Sequence, residues 1–280
     1  MDLVVFLAVL SAAAMHAGWN AVVKVGLDRF SSVLLLSLVQ SGFAVLLLPV
    51  FALPAPAAWP WIAVSALLHS GYKIFLIRAY EHGDLSQVYP LARGTAPLVV
   101  AVVGALFLGE TMTAMKTLAV LAIGLGVIVM SLKGGADVGS IPLKALGYAL
   151  ATAAFTASYT VVDGVGARAS GTASGFTMWM FAGDGAVMAA YAAAVRGRGI
   201  FASLKPAWRS GLAAGALSLG SYWIAIWAFT LAPIALVAAL RESSVLFAML
   251  IAVVLLKEEA GRWRWTASVL ILAGIVLMRL

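Results

Sequence analysis

The sequence predicts an all-α integral membrane protein, with ten transmembrane helices arranged as two inverted five-helix repeats around a central cavity. Three observations carry that prediction. Of the 280 residues, 64% are hydrophobic and only 10% are charged, whereas a soluble domain carries about 25% charge. The apolar residues fall into ten runs of membrane-crossing length. The chain also reads as two copies of one pattern, and each copy holds an odd number of runs.

A hydrocarbon core takes about 17 to 25 residues of helix, and such runs occur at 3–24, 31–51, 60–80, 86–108, 113–131, 143–163, 174–195, 208–230, 234–256 and 263–279. With open connections they must be helices, because backbone groups in lipid find their partners only within a helix or a closed barrel. The first run follows Met1-Asp2-Leu3 and lacks the basic region of a cleavable signal peptide, so it is expected to stay in the protein. The longest connections, near 132–142 and 196–206, leave no room for a soluble domain. Ala182, Ala186, Ala190 and Ala194 form a stripe in the seventh run, and Gly211 and Gly215 form another in the eighth. Small residues at that spacing let helices approach closely in a membrane. Cysteine is absent, which excludes disulfides, thiolate metal sites and cysteine nucleophiles.

The repeat rests on registers that can be counted. Arg93, an apolar run containing Pro97, and Glu110 are matched 148 residues later by Arg241, a similar run, and Glu258. The same offset lays Gly126-Val127-Ile128-Val129-Met130 over Gly274-Ile275-Val276-Leu277-Met278. Near the start, His16-Ala17-Gly18-Trp19-Asn20-Ala21-Val22-Val23 lies over Thr156-Ala157-Ser158-Tyr159-Thr160-Val161-Val162-Asp163 at an offset of 140. The first copy spans residues 1–132 and the second 142–280. Two copies of five spans must cross the bilayer in opposite senses, the plan of secondary transporters that bind substrate near the midplane and alternate access by rocking one half on the other.

Net charge is +7, and its distribution matters more than its size. Loops opposite the termini hold Arg29, Lys133, Lys144, Arg196, Arg198, Lys205, Arg209, Lys257, Arg262 and Arg264, against Lys116, Arg168 and Arg279 on the terminal side. The positive-inside rule makes the richer face cytoplasmic and both termini non-cytoplasmic. Basic residues beside span ends are the ordinary membrane pattern, so the high pI calls for no nucleic acid.

Ionisable groups at membrane depth are costly and face the bundle interior or a water-filled cavity. In the first span His16, Trp19, Asn20 and Lys24 share a helical face; they line a cavity, or form a polar seam with Lys24 reaching the interface. In the third span His69 and Lys73 face one way and Tyr72 and Tyr80 another, so at most one of the two stripes need face the pore. Arg93 and Arg241 occupy equivalent repeat positions, and a guanidinium makes paired bonds to carboxylate or phosphate. The alternatives are that Arg241 is neutralised by Glu242, and that Arg93 pairs with Asp163 or Asp184. Tyr89 precedes Arg93 by one turn, while Pro97 is placed to break or kink that helix. Asp163, near a span end, and the deeper Asp184 are the acids placed to carry a coupling proton, whereas Glu110 and Glu258 read as caps or loop anchors. The expected substrate site is therefore His16, Trp19, Asn20, Tyr72, Lys73, Tyr89, Arg93, Tyr159 and Arg241.

Leu108-Gly109-Glu110 closes the fourth span and Lys257-Glu258-Glu259 the ninth. With the ten-span repeat, these residues make the chain resemble the EamA family of the drug/metabolite transporter superfamily over essentially its whole length. His16 to Lys24 resembles a subgroup with a His, Trp, Asn and Lys pattern in its first helix. The resemblance implies a secondary transporter in the inner or plasma membrane that exports an amino acid or related carboxylated compound. Phosphorylated or other organic anions and multidrug efflux are the alternatives. Relatives are commonly drawn with cytoplasmic termini, which the loop charges here oppose. The implied partners are a small-molecule substrate, the lipid bilayer and protons, with no nucleic acid, in a monomer or weak homo-oligomer. No cofactor, metal or catalytic residue is expected: there is no P-loop, no HExxH, and His16, His69 and His82 are scattered.

Overall fold

The computed structural model describes residues 1–23, 27–82, 95–133, 142–255, 257 and 261–279. No strand occurs among them, and the helices of seven residues or more are α1 (Leu3–Val23), α2 (Arg29–Leu47), α3 (Trp59–His82), α4 (Ala96–Phe107), α5 (Ala114–Lys133), α6 (Leu143–Ala169), α7 (Ala173–Arg196), α8 (Trp208–Phe229), α9 (Ile234–Arg241), α10 (Ser244–Leu250) and α11 (Arg262–Arg279). Seven helical stretches among the described residues are long and apolar enough to cross a membrane. The last of these runs through α9 and α10, and α4 and α5 are shorter apolar helices.

Local chemistry sets several boundaries. Asp28 caps α2 by accepting from the Phe30 and Ser31 amides at 3.1 and 3.3 Å, and the Thr172 hydroxyl accepts from the Gly175 amide at 3.1 Å to start α7. Pro97 lies in the first turn of α4, where its missing N–H costs no helical bond. The expected break at Pro97 is thus a helix start. The sixth span, expected to end at 163, continues to Ala169, which takes Asp163 away from the interface.

The ninth span departs most from expectation. It is not one helix: α9 ends at Arg241, a turn at Glu242 and Ser243 follows, and α10 begins at Ser244. The Glu242 amide bonds back to Ala239 O at 3.0 Å and the Ser243 amide to Leu240 O at 3.1 Å, three residues back in each case. Glu242, Ser243 and Ser244 are all buried there. A run of polar residues inside an otherwise apolar segment marks the interruption. The first-half counterpart of Ser244, at the 148-residue offset, is Ala96, the residue at which α4 begins.

Helix contacts come in reciprocal pairs. By the repeat register, α1 to α3 correspond to α6 to α8. α1 packs on α8 as α6 packs on α3; α2 packs on α8 as α7 packs on α3; and α2 with α7, and α5 with α11, each join equivalent helices. The α5–α11 seam shows this at atomic scale. A β-carbon at Gly126 would lie 2.6 Å from Ile271 Cγ1 and 3.0 Å from Ala267 O, and one at Gly274 would lie 2.6 Å from Ile123 Cγ1 and 2.8 Å from Ala119 O. Each contact is the other shifted by 148 residues, and the two helices run antiparallel. Gly211 and Gly215 likewise meet Leu35 and Val39 of α2. The alanine stripe of α7 is not a packing face: Ala186, Ala190 and Ala194 are exposed, and Asp184, Gly185, Met188 and Ala192 face inward.

Candidate functional site

One helix supplies donors to two buried acids. On α3, Ser65, His69 and Lys73 recur every four residues with Ser70 beside them, and all four are buried. Their acceptors lie in the second half, on α6 and α7. Asp163 and Asp184 are each 0% exposed, so each carboxylate must be answered within the protein.

Asp163 is met by three groups from two helices. The Ser65 hydroxyl donates to Oδ1, His69 Nε2 lies 2.9 Å from Oδ2, and the Tyr222 hydroxyl of α8 donates to that same Oδ2. Aromatic rings enclose the group: Tyr159 stacks on His69 at 4.1 Å, Tyr222 stands edge-on to His69 at 5.0 Å, and Tyr72 meets Tyr159 edge-on at 5.6 Å. The Arg241 guanidinium lies over the Tyr222 ring, 4.7 Å from its centre, a cation–π contact at the point where the ninth span is interrupted. Tyr222 therefore touches Asp163 with its hydroxyl and Arg241 with its face.

Asp184 holds a separate network. Lys73 Nζ ion-pairs with Oδ2 and donates to Ser37 Oγ at 2.6 Å, while the Ser70 hydroxyl donates to Oδ1 at 2.9 Å. Such a pair stands only when well satisfied, because taking two charges out of water costs several kcal/mol per ion. Lys73 is thus occupied by an acid, and Asp163 and Asp184, the alternative partners for Arg93, are met among the described residues by His69 and Lys73. Both stripes of α3 take part, since Tyr72 joins the Asp163 cluster through Tyr159.

His16, Trp19 and Asn20 form a local set on α1. Trp19 Nε1 donates to His16 Nδ1 at 3.3 Å, and Asn20 Nδ2 donates to His16 O at 2.7 Å. All three are half-buried, and α1 packs on α8, α9 and α10. Tyr89, Arg93, Lys24 and Glu258 lie outside the described residues.

Glu110 anchors the interrupted span. Both its carboxylate oxygens lie 3.0 Å from the Ile234 amide at the start of α9, and Oε1 lies 2.8 Å from Arg168 Nη2. Arg168 in turn donates to Phe229 O at 2.8 Å and Ala232 O at 3.0 Å. The ends of α6 and α8 and the start of α9 therefore share one face. At 1.5 Å per residue, Asp163, Tyr222 and Arg241 each lie about 9 to 11 Å inside it.

Sequence reasoning missed Ser65 and left Tyr222 outside the site. The four-residue spacing of Ser65 with His69 and Lys73 was a usable signal. Nothing in the sequence pointed Tyr222 at Asp163.

Comparison with known proteins now decides the family. The EamA-like transporter family matches residues 3–132 and again residues 143–280. The chain belongs to the EamA-like transporter family. It is a multi-pass membrane transporter of small molecules. Solved structures also match: one, titled "Crystal structure of protein", superposes with a TM-score of 0.74 over 98% of this chain and 94% of its own, at 16% identity. That likeness shows a shared fold. The curated proteins give no match. The EamA-like transporter family thus matches twice along the chain, and the Asp163 and Asp184 networks both join one matched stretch to the other.

Proposed function

We propose that the protein is a secondary transporter that moves a small polar metabolite, foremost an amino acid or related carboxylated compound, by alternating access between two inverted five-helix repeats. The observation that carries this is the interruption at Arg241, which sets a guanidinium over Tyr222 beside the buried Asp163 cluster. Discontinuous helices near the midplane form the substrate sites of inverted-repeat transporters. The reciprocal contacts and antiparallel α5–α11 seam support the inverted relation, because a two-fold axis between antiparallel membrane helices lies in the membrane plane. A guanidinium selects carboxylate or phosphate through a planar fork of donors. Tyr72, Tyr159, His16, Trp19 and Asn20 supply aromatic and polar walls, with Arg93 as the first-half counterpart of Arg241 and Tyr89 one turn before it in sequence. Lys73 belongs to this site through its pair with Asp184 rather than as a free cation.

Proteoliposomes loaded with a labelled panel of amino acids and organic anions test the reading. Arg241→Ala should abolish flux of the transported carboxylate, Arg241→Lys should rescue it poorly, and an amidated analogue should be much less affected. Equal losses for charged and neutral analogues would make the arginine structural. Preference for phosphorylated compounds in the same panel would favour the organic-anion alternative. Loop charge supports an inner-membrane orientation with non-cytoplasmic termini. A C-terminal reporter active only in the cytoplasm would reverse that orientation.

A further inference from the structure

We propose that Asp163 is the proton-exchanging acid of this transporter and that Tyr222 links it to the anion held at Arg241, so that proton and anion bind together. The proposal rests on the reading of Arg241 as an anion site and adds its coupling.

With Asp163 ionised, Oδ2 accepts from two donors, His69 in the tautomer that carries its hydrogen on Nε2 and the Tyr222 hydroxyl, while Oδ1 accepts from Ser65. An ionised carboxylate only accepts, whereas the protonated form also donates. A proton arriving on Oδ2 places a third hydrogen among two donors, and one of them must give way. The imidazole is clamped between Tyr159 and Tyr222. The phenol hydroxyl turns about a single bond, so it reverses: it accepts from Asp163 and its own hydrogen is released. The guanidinium lies on the same ring, which places an anion bound there within reach of that released O–H. The protonated acid thereby adds a donor to the anion site, and a bound anion holds the hydroxyl in the orientation that protonated Asp163 needs. By linkage each ligand strengthens the other equally, and the two travel in the same direction.

Other ionisable groups face α6 from its neighbours. They are His69, Tyr72 and Lys73 on α3, with His82 at its end against Tyr148, Asp184 on α7, Arg241 with Glu242 after α9, and Tyr159 on α6 itself; the described part of α4 brings none. Lys73 and Asp184 neutralise one another. Glu242 is the acid that a test must separate from Asp163.

Proton uptake on ligand addition makes that separation. The full-length protein in lightly buffered micelles with a pH-indicator dye receives sodium acetate already adjusted to the solution pH, or acetamide as its neutral counterpart. The wild type should take up about one proton per acetate bound and none with acetamide. Asp163→Asn and Tyr222→Phe should abolish uptake, while Glu242→Gln retains it. Should Asp163→Asn fail to fold, Tyr222→Phe and the wild-type comparison still decide. Uptake that survives in Tyr222→Phe, uptake lost in Glu242→Gln but kept in Asp163→Asn, equal uptake with acetamide, or none with acetate would each overturn the proposal. Flux without acetate-linked uptake would sink the coupling alone; uptake without flux of any labelled compound would sink the transporter reading.

Discussion

Replacing Asp184 by Leu while leaving Lys73 in place should be among the most damaging single changes in the protein. The carboxylate is fully buried and the Lys73 side chain only 8% exposed, so the substitution strands an ammonium whose remaining partner is Ser37. Breaking a buried pair from one side costs about 3 to 5 kcal/mol, whereas replacing both partners by apolar residues is often close to neutral. The double variant Lys73→Met with Asp184→Leu removes the charges but leaves the Ser37 and Ser70 hydroxyls short of a partner. With about 1 to 3 kcal/mol for a lost buried hydrogen bond, it should fall between the wild type and the single variant. The expected interaction energy is therefore at least about 2 kcal/mol in the double-mutant cycle. Reversible unfolding of the four proteins in mixed micelles, followed by far-ultraviolet circular dichroism, measures it. Additive losses, or a single-variant loss under about 1 kcal/mol, would show that the pair is hydrated and that its burial has been misjudged.

Two further changes test other parts of the reasoning. Gly126→Ala and Gly274→Ala should each lower the thermal midpoint, by comparable amounts corresponding to about 1 to 3 kcal/mol of overpacking, since an added β-carbon meets the equivalent isoleucine at 2.6 Å on either side; a silent change at one site with a large one at the other would contradict the reciprocal seam. At Asp28, burial raises the carboxyl pKa, but bonds from the Ser31 hydroxyl and amide, then Arg196 and the Phe30 amide, outweigh it and hold it below the usual value. The cap's contribution is thus present above the unfolded carboxylate range and lost as pH falls through the folded one. Asp28→Ala should cost about 1 kcal/mol near neutral pH, and thermal melts should show the gap to wild type closing in acid. A gap that widens in acid would reverse the sign.

The all-helical membrane class and the two-repeat plan were legible in the sequence because each depends on local pattern: lipid demands long apolar runs, and a duplicated pattern keeps its spacing. The role of Glu110 as an anchor was legible too, from its position at a span end. What the sequence could not rank were the partners. Asp163 looked interfacial, since apolarity alone does not mark where α6 stops, and nothing along the chain aims Tyr222 at it. Lys73 and Arg241 looked alike as cations at membrane depth, yet the fold occupies one with Asp184 and lays the other over an aromatic ring at an interrupted helix. Those assignments depend on distances between residues 19 to 111 positions apart, which only the packing of α3, α6, α7, α8 and α9 brings within reach.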